Sequence, residues 1–454
     1  MSIPTAQAVA AALPPTSNAP HRVIELFAGV GGFHHGLSQA NQHCASMGLP
    51  PAYEVVWSNQ WEPGCRHQHA ARVYDARWGL VPVNRDLYAV LDDEAEMARL
   101  DALRPTMLVG GFPCQDYSVA KPASRSEGLN GKKGVLWWGI HRLLQRRVDA
   151  GQPVEVLMLE NVDRLLSSPG ACKGRDFAII LSSLQALGYS VAWQVVNAAD
   201  YGFPQKRKRV FLVGLHESSP RHAEWRTAGD DPEVGLALVS PIALGLPVEL
   251  TGPVSQLDIG SDVFQTQASF QPCKGGRSPF QAVGMCVAGR VWTAPARAAA
   301  IGDFTPYVGQ TRRVTLGDVV RRTAAPSSSY FLAPESLPRW QYLKGAKRIE
   351  RVTASGHVYE FSEGAVAFPD PLDRPSRTII TSEGGAAASR TKHAVLDPSG
   401  QLRRLTPEEL EELNGFPRGF TALPGVPDTK RAFLMGNALV TGVVARIALG
   451  LLAA

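Results

Sequence analysis

"RVIELFAGVGGFHHGLSQANQHC", residues 22–44, is the stretch whose reading decides the fold. Its first six residues form a short apolar run of strand character, and "AGVGG" follows as a turn. Phe33, Leu37, Ala40 and Cys44 then recur at helical spacing, so the unit reads strand, Gly-rich turn, helix. Downstream, "YEVVWSN", "TMLVGG", "VEVLMLEN" and "RVFLVGL" repeat the strand signal, with helical stretches at 136–147 and 176–187 between several of them. This alternation predicts an α/β fold, a parallel sheet covered by helices.

A chain of 454 residues with 44% hydrophobic content can bury a large core and is read as two domains. The six cysteines, at 44, 65, 114, 172, 273 and 286, form no CxxC pair and no His/Cys spacing suited to zinc. A reduced, cytosolic setting without a metal is expected. A net charge of +5 suits a polyanionic partner, and equally an ordinary enzyme. Residues 1–20 lack the basic and apolar regions of a signal peptide and read as a flexible tail. No run is expected to span a membrane. From about 216 to 400 the chain is rich in Pro, Gly, Ser and isolated basic residues, which predicts a second, less regular domain. Val440, Val443, Val444, Ile447, Ala448 and Leu451 fall on one helical stripe, predicted to pack back on the first domain.

Ligands of open α/β sheets bind beyond the carboxyl ends of the strands, so the turns there carry the chemistry. Gly29, Gly31 and Gly32 remove side chains where a ligand can approach backbone, and the helix behind them offers unpaired N–H groups. A tight structural turn explains the same glycines, and the spacing is not the GxGxxG of dinucleotide sites. Trp61 in "WSNQWE" suits stacking on an adenine, and Asp86 in "NRDL" suits an exocyclic amine. Together these predict an adenosine-containing cofactor. In "VGGFPCQDYS", 109–118, Cys114 follows Pro113 just beyond a strand, a stiff exposed turn of the kind a reactive thiol needs. Taken alone, the stretch fits a core or loop cysteine more readily.

With these segments in view the chain resembles the DNA (cytosine-5) methyltransferases. The stretches that carry the resemblance are "ELFAGVGGFHHGL", "GGFPCQDYS", "LENVDRLL", "YGFPQKRKRVFLVG", "RRLTPEELEELNGFP" and "MGNALVTGVVARI", in the family's order. The resemblance implies a Rossmann-like, S-adenosylmethionine-dependent catalytic domain with a mixed, mostly parallel sheet, at 21–215. It implies a smaller, irregular target-recognition domain at 216–430, including "PSRTIITSEGGAAASRTKHAV" (375–395), which resembles the segment before the family's ninth motif. A C-terminal helix, 431–454, would return to the catalytic domain.

The family's chemistry gives these residues roles. Cytosine C5 is a poor nucleophile, and a thiolate added to C6 makes the ring an enamine that attacks a methyl sulfonium. By resemblance Cys114 is that thiolate, Glu160 hydrogen-bonds cytosine N3 and its amino group, and Asn161 holds the active-site loop. Without the resemblance Glu160 reads as a solvated or capping residue. In "QKRKR", otherwise a solvated charge run, Arg209 resembles the residue that contacts the target base, while Arg207 and Gln205 resemble supports for the catalytic loop and the DNA backbone. Gln115 and Ser118 are expected to touch substrate, and the loop from Ser118 to Lys133 looks like the segment that closes over a flipped nucleotide.

Cofactor binding is carried over to Phe27, Ala28, Gly29, Gly32, Gln60, Trp61, Glu62, Asp86, Leu87, Pro113, Leu136, Asn437 and Ala438. Two departures stand out: Gln60 occupies the family's usual glutamate position for the ribose hydroxyls, and Ala438 follows Asn437 where serine is common. Basic residues of the second domain, Arg312, Arg313, Arg321, Arg322, Arg339, Lys344, Lys347, Arg348 and Arg351, with Tyr330, Trp340 and Tyr342 between, suit phosphate and base-edge contacts or an ordinary surface. The expected partner is double-stranded DNA, for a monomer in the bacterial cytoplasm paired with a restriction endonuclease. A tRNA methyltransferase and a catalytically silent DNA-binding member are the alternatives.

Overall fold

The computed structural model describes residues 19–112, 135–228, 231–271, 276–323, 325–352 and 356–453. Contacts divide the chain into two compact units. The first holds residues up to Tyr201, then Lys208–Gly302 and Thr441–Ala454; the second holds Gly202–Arg207 and Asp303–Val440.

The first unit is built on a nine-stranded mixed sheet. Its strands are β1 (His21–Leu26), β2 (Tyr53–Asn59), β3 (Met107–Gly111), β4 (Val156–Val162), β5 (Tyr189–Asn197) and β6 (Lys208–His216). The short pair β7 (Val248–Leu250) and β11 (Ala296–Ala298) stands apart, while β8 (Ser255–Asp258), β9 (Val283–Val287) and β10 (Arg290–Ala294) complete the main sheet. The order is β2-β1-β3-β4-β6-β5-β9-β10-β8. β1 to β4 are mutually parallel, and β6 inserts antiparallel between β4 and β5. β1 lies inside the sheet, and Val23, Ile24, Glu25 and Leu26 are all buried, which is why its apolar residues run on without alternating.

Helices α1 (Gly32–Ser46), α2 (His69–Trp78), α3 (Val135–Asp149) and α4 (Arg175–Ala186) cover the sheet. The predicted stripe of α1, Phe33, Leu37, Ala40 and Cys44, is buried. Gly36 lies on another side of α1, where a Cβ would sit 2.5 Å from Val444 Cβ and 2.7 Å from the Thr441 carbonyl. The close approach belongs to the C-terminal helix Thr441–Ala453, which packs on α1 and on the short helix Pro241–Gly245. Val443, Val444, Ile447, Ala448 and Leu451 are buried there, and Tyr53 donates its hydroxyl to the Ala448 carbonyl at 2.6 Å. The expectation that no run could span a membrane is corrected: Asp428–Ala453 is long and apolar enough, and 78% of its apolar window is buried, as in a core helix.

Residues 216–302 did not read as part of the sheet. β9 nevertheless pairs with β5, Val191 opposite Cys286, and β10 and β8 add to it, so the first compact unit does not end at 215. Local periodicity is weak here because these strands are short and their apolar partners lie far away in sequence.

The second unit is irregular, with short helices and two-stranded pieces. Its sequence "LTPEE" closes a capping box, the Thr406 hydroxyl accepting from Glu409 N and the Glu409 carboxylate accepting from Thr406 N, with Pro407 at the first helical position. Glu409 also receives both terminal nitrogens of the fully buried Arg403, at 2.8 and 2.7 Å.

Candidate active site

Parallel pairing puts the carboxyl ends of β1 to β4 on one edge of the first unit. Leu26 lies opposite both Asn59 and Gly110, and Gly111 lies opposite Glu160. The turns beyond these residues therefore share an edge.

At the first turn, Phe27 and Gly29 both have left-handed backbone, φ 54° and 57°. A Cβ on Gly29 would meet open space, so this glycine serves backbone geometry and access. Gly31 differs: a Cβ there would sit 2.3 Å from the Trp78 indole nitrogen. Ala28 and Gly32 are buried and Phe27 is half-buried. The Gly29 N–H donates to Gln60 Oε1 at 2.7 Å, so the Gln60 side chain is buried against the turn.

The second turn is pinned by amides. Asn59 donates to the carbonyls of Val83 and Arg85, and Asn84 donates to the Gln60 carbonyl. Gln68 accepts from Glu62 N and donates to the carbonyls of Glu62 and Cys65. This leaves the Trp61 ring 39% exposed beside a half-buried Glu62. Asp86, expected near a third strand-end, instead follows the isolated bridge Asn59–Val83 and is exposed at the cap of the short helix Leu87–Leu91, its Oδ1 accepting from Tyr88 N, while Leu87 is buried. Leu136 is half-buried in the first turn of α3.

Glu160 and Arg209 meet at the same edge. In the antiparallel pair β4–β6, Glu160 lies opposite Phe211 and Val162 opposite Arg209, so the two side chains are diagonal neighbours on one face. Arg209 Nε lies 2.9 Å from Glu160 Oε1, and Arg209 Nη1 donates to the Lys208 carbonyl. A Cβ on Gly111 would sit 3.1 Å from Glu160 Oε2, so a glycine ends β3 where the carboxylate needs room. Asn161, buried, donates to the Phe112 carbonyl at 2.9 Å and accepts from Val162 N. Phe112 directly precedes Pro113 and Cys114. Pro113, Cys114, Gln115, Ser118 and the rest of the expected closing loop lie outside the described residues.

Arg207 and Gln205 belong to the second unit and are buried. Arg207 donates to the carbonyls of Ile379 and Gly436, and Gln205 donates to Leu413 O and Asn414 Oδ1 while accepting from Ile379 N. They brace main chain. Asn437, exposed, and Ala438 end the helix Asp428–Asn437 of that unit. Of the expected DNA contacts, Trp340 and Lys344 are buried, Lys344 donating to the Lys392 carbonyl. Arg312 and Arg321 both pair with Asp318, Arg322 pairs with Glu412, and Tyr330 donates to Asp428.

Sequence reasoning passed over Glu25. It is fully buried in β1, accepts from the Tyr74 hydroxyl at 2.9 Å, and His34 Nδ1 lies 2.9 Å from the same hydroxyl. Burial pushes its carboxyl up to about 8, against the opposing pull of Tyr74 and of the His34 and Phe33 N–H groups at the start of α1. Its signal was an acid inside an otherwise apolar strand.

Residues 21–234 match the family of C-5 cytosine-specific DNA methylases. The Type II methyltransferase M.Sau3AI of Staphylococcus aureus is 38% identical over 433 residues, 94% of each chain. M.SsoII of Shigella sonnei is 33% identical over 46% of this chain and 47% of its own. The fold is similar to that of S. pombe Dnmt2 methyltransferase, TM-score 0.55 at 14% identity, covering 96% of this chain and 98% of that one. The α/β fold is one shared with solved methyltransferases. The chain belongs to the C-5 cytosine-specific DNA methylase family, among relatives of the Type II restriction–modification kind.

Proposed function

We propose that the chain transfers a methyl group from S-adenosylmethionine to C5 of a cytosine in a specific double-stranded DNA sequence. The reading extends to protection of host DNA beside a restriction endonuclease, by a monomer acting in the bacterial cytoplasm. The observation that carries it is the registration of Gly111 with Glu160, ion-paired to Arg209, three residues before Cys114.

In this reading the cytosine leaves the base stack. The Cys114 thiolate adds to C6 and the electron pair moves to C5, while Glu160 hydrogen-bonds N3 and the exocyclic amine. Arg209 holds Glu160 in place and presents its remaining N–H groups beside the base. C5 would take the methyl from S-adenosylmethionine, which would leave as the neutral thioether S-adenosylhomocysteine, after which loss of the C5 proton to a base would expel the thiolate and restore the ring. Asn161 fixes the chain just ahead of the nucleophile through the Phe112 carbonyl.

The open space above Gly29, the exposed Trp61 ring and the Asp86 carboxylate fit a nucleoside-bearing cofactor. S-adenosylmethionine, when bound, supplies the methyl as a sulfonium electrophile. Phe27, Ala28, Gly29, Gly32, Trp61, Glu62, Asp86 and Leu87 would hold it, with Pro113 and Leu136 completing the expected set of the first unit. Gln60 would act by holding the Gly29 N–H. Bisulfite sequencing of DNA from cells expressing the chain tests the proposal: a single recurrent sequence context of protected cytosines is expected, and unmodified DNA from cells making folded protein contradicts it.

A further inference from the structure

The second unit projects a two-stranded antiparallel ribbon, β12 (Lys347–Val352) and β13 (Val358–Glu363), with Lys347 opposite Glu363 and Val352 opposite Val358. Most of its residues are exposed, among them Ile349, Val352, Val358 and Tyr359, which is unusual for side chains of this size. Alternation sorts the residues onto two faces. One carries Lys347, Ile349 and Arg351 against Glu363, Phe361 and Tyr359; the other carries Arg348, Glu350 and Val352 against Ser362, Glu360 and Val358.

The faces differ in chemistry. On the first, the Arg351 guanidinium lies over the Phe361 ring, 3.8 Å from its centroid. Its one acid, Glu363, is shared between Lys347 at 4.0 Å and Arg390 at 3.6 Å. Lys347 in turn lies over Tyr342, exposed on the helix Leu337–Lys344, with Arg339 over the same ring. On the second face Glu350 and Glu360 stand directly opposite each other, like charges that a sheet places together at a cost.

We propose that this ribbon docks in a groove of duplex DNA through the face bearing Ile349, Arg351, Tyr359 and Phe361, and contributes to target choice there. The inference rests on the reading of the chain as a DNA methyltransferase and names which surface meets the duplex. A two-stranded ribbon fits a major groove about 12 Å wide. The polyanion selects the face: Glu350 and Glu360 are repelled outward, while Arg351 and Tyr359 donate to phosphate or base edges and Ile349 presents an apolar contact. Phe361 holds the guanidinium plane in advance, which reduces the ordering needed on binding. A second copy of the chain is the competing occupant, and self-association is measured alongside duplex binding.

The test uses the full chain and a short labelled duplex carrying the context found by bisulfite sequencing, with binding followed by anisotropy over a range of salt. Arg351→Ala is expected to weaken binding roughly tenfold and lower the salt slope by about one, and Tyr359→Ala to weaken it with the slope unchanged. Glu350→Gln with Glu360→Gln should bind as tightly as the parent or tighter. S-adenosylmethionine affinity and thermal melting should be unchanged in all three. Parent-like duplex binding by both Arg351→Ala and Tyr359→Ala overturns the proposal, as does a loss of self-association on sedimentation without loss of duplex binding. If the parent chain methylates DNA and only the ribbon variants are silent in effect, the ribbon assignment alone fails. If the parent chain neither binds nor methylates duplex DNA but methylates tRNA, the methyltransferase reading fails and the ribbon assignment with it.

Discussion

Arg209 Nε lies 2.9 Å from Glu160 Oε1, joining two residues from adjacent antiparallel strands at the edge where β3 ends. The pair is mostly shielded, the side chains 19% and 13% exposed, so removal of either partner leaves a charge in poor contact with water. The planar guanidinium fork sets Nε beside the Glu160 carboxylate while Nη1 donates to the Lys208 carbonyl.

Arg209→Ala is therefore expected to lower kcat for methyl transfer by about a hundredfold or more, the range associated with a positioned acid–base group. Arg209→Lys keeps the charge without the fork and should fall between. Steady-state assays on duplex DNA, with cofactor affinity measured separately, distinguish this from a folding defect. Near-parent turnover in Arg209→Ala would remove the pair from the chemistry.

The Gln60 contact makes a prediction about the cofactor turn. Gln60→Ala leaves the Gly29 N–H without its acceptor and should weaken S-adenosylmethionine binding by roughly five- to tenfold, about 1 kcal/mol. Gln60→Glu retains the acceptor and should stay within a few-fold of the parent, whereas Glu62→Gln should weaken binding several-fold if Glu62 receives the ribose. Calorimetry decides: tightening by Gln60→Glu with a neutral Glu62→Gln assigns the ribose to position 60 instead.

Glu25 makes stability depend on pH. Its folded carboxyl is raised from an ordinary 4.5 to about 8, so between these values the folded chain holds a proton the unfolded chain has released. Stability from this group is fully present below about pH 4.5 and is lost as pH rises through 8, at up to about 1.4 kcal/mol per pH unit. Glu25→Gln, which cannot ionise, should gain on the parent steadily over this window. Denaturant titrations of the two chains from pH 5 to 9 check the sign, and a constant difference contradicts it.

What the sequence made legible follows from the range of the interactions. β1, its Gly-rich turn and α1 were legible because strand character, turn glycines and helical spacing are local signals, and "VIELFAGVGG" announced them although their packing partners lie farther along the chain. Local pattern set the strand-end position of Glu160 and Asn161, but their roles came only from the family resemblance, since a lone strand-end glutamate reads as a solvated or capping residue. The place of Gln205 and Arg207 was hidden, since their partners Leu413, Asn414, Ile379 and Gly436 lie far down the chain. Trp340 and Lys344 looked like surface groups for the same reason: Lys344 is neutralised and buried by the Lys392 carbonyl and Asp370. The joining of β9 to β5 was likewise a matter of distant pairing, although β9 and β10 themselves form a local hairpin.

The central claim is a covalent step at Cys114, and three of the other cysteines are poor rivals. Cys44, Cys172 and Cys286 are buried, and burial pushes the Cys286 thiol up to about 12. The direct measurement is incubation of the protein with S-adenosylmethionine and a duplex carrying 5-fluorocytosine at the target position, where fluorine blocks the final elimination. A denaturation-stable adduct is predicted, mapping to Cys114 by peptide mass spectrometry and absent in Cys114→Ser. An adduct that persists in Cys114→Ser, or none at all from chain that methylates ordinary DNA, would contradict the account.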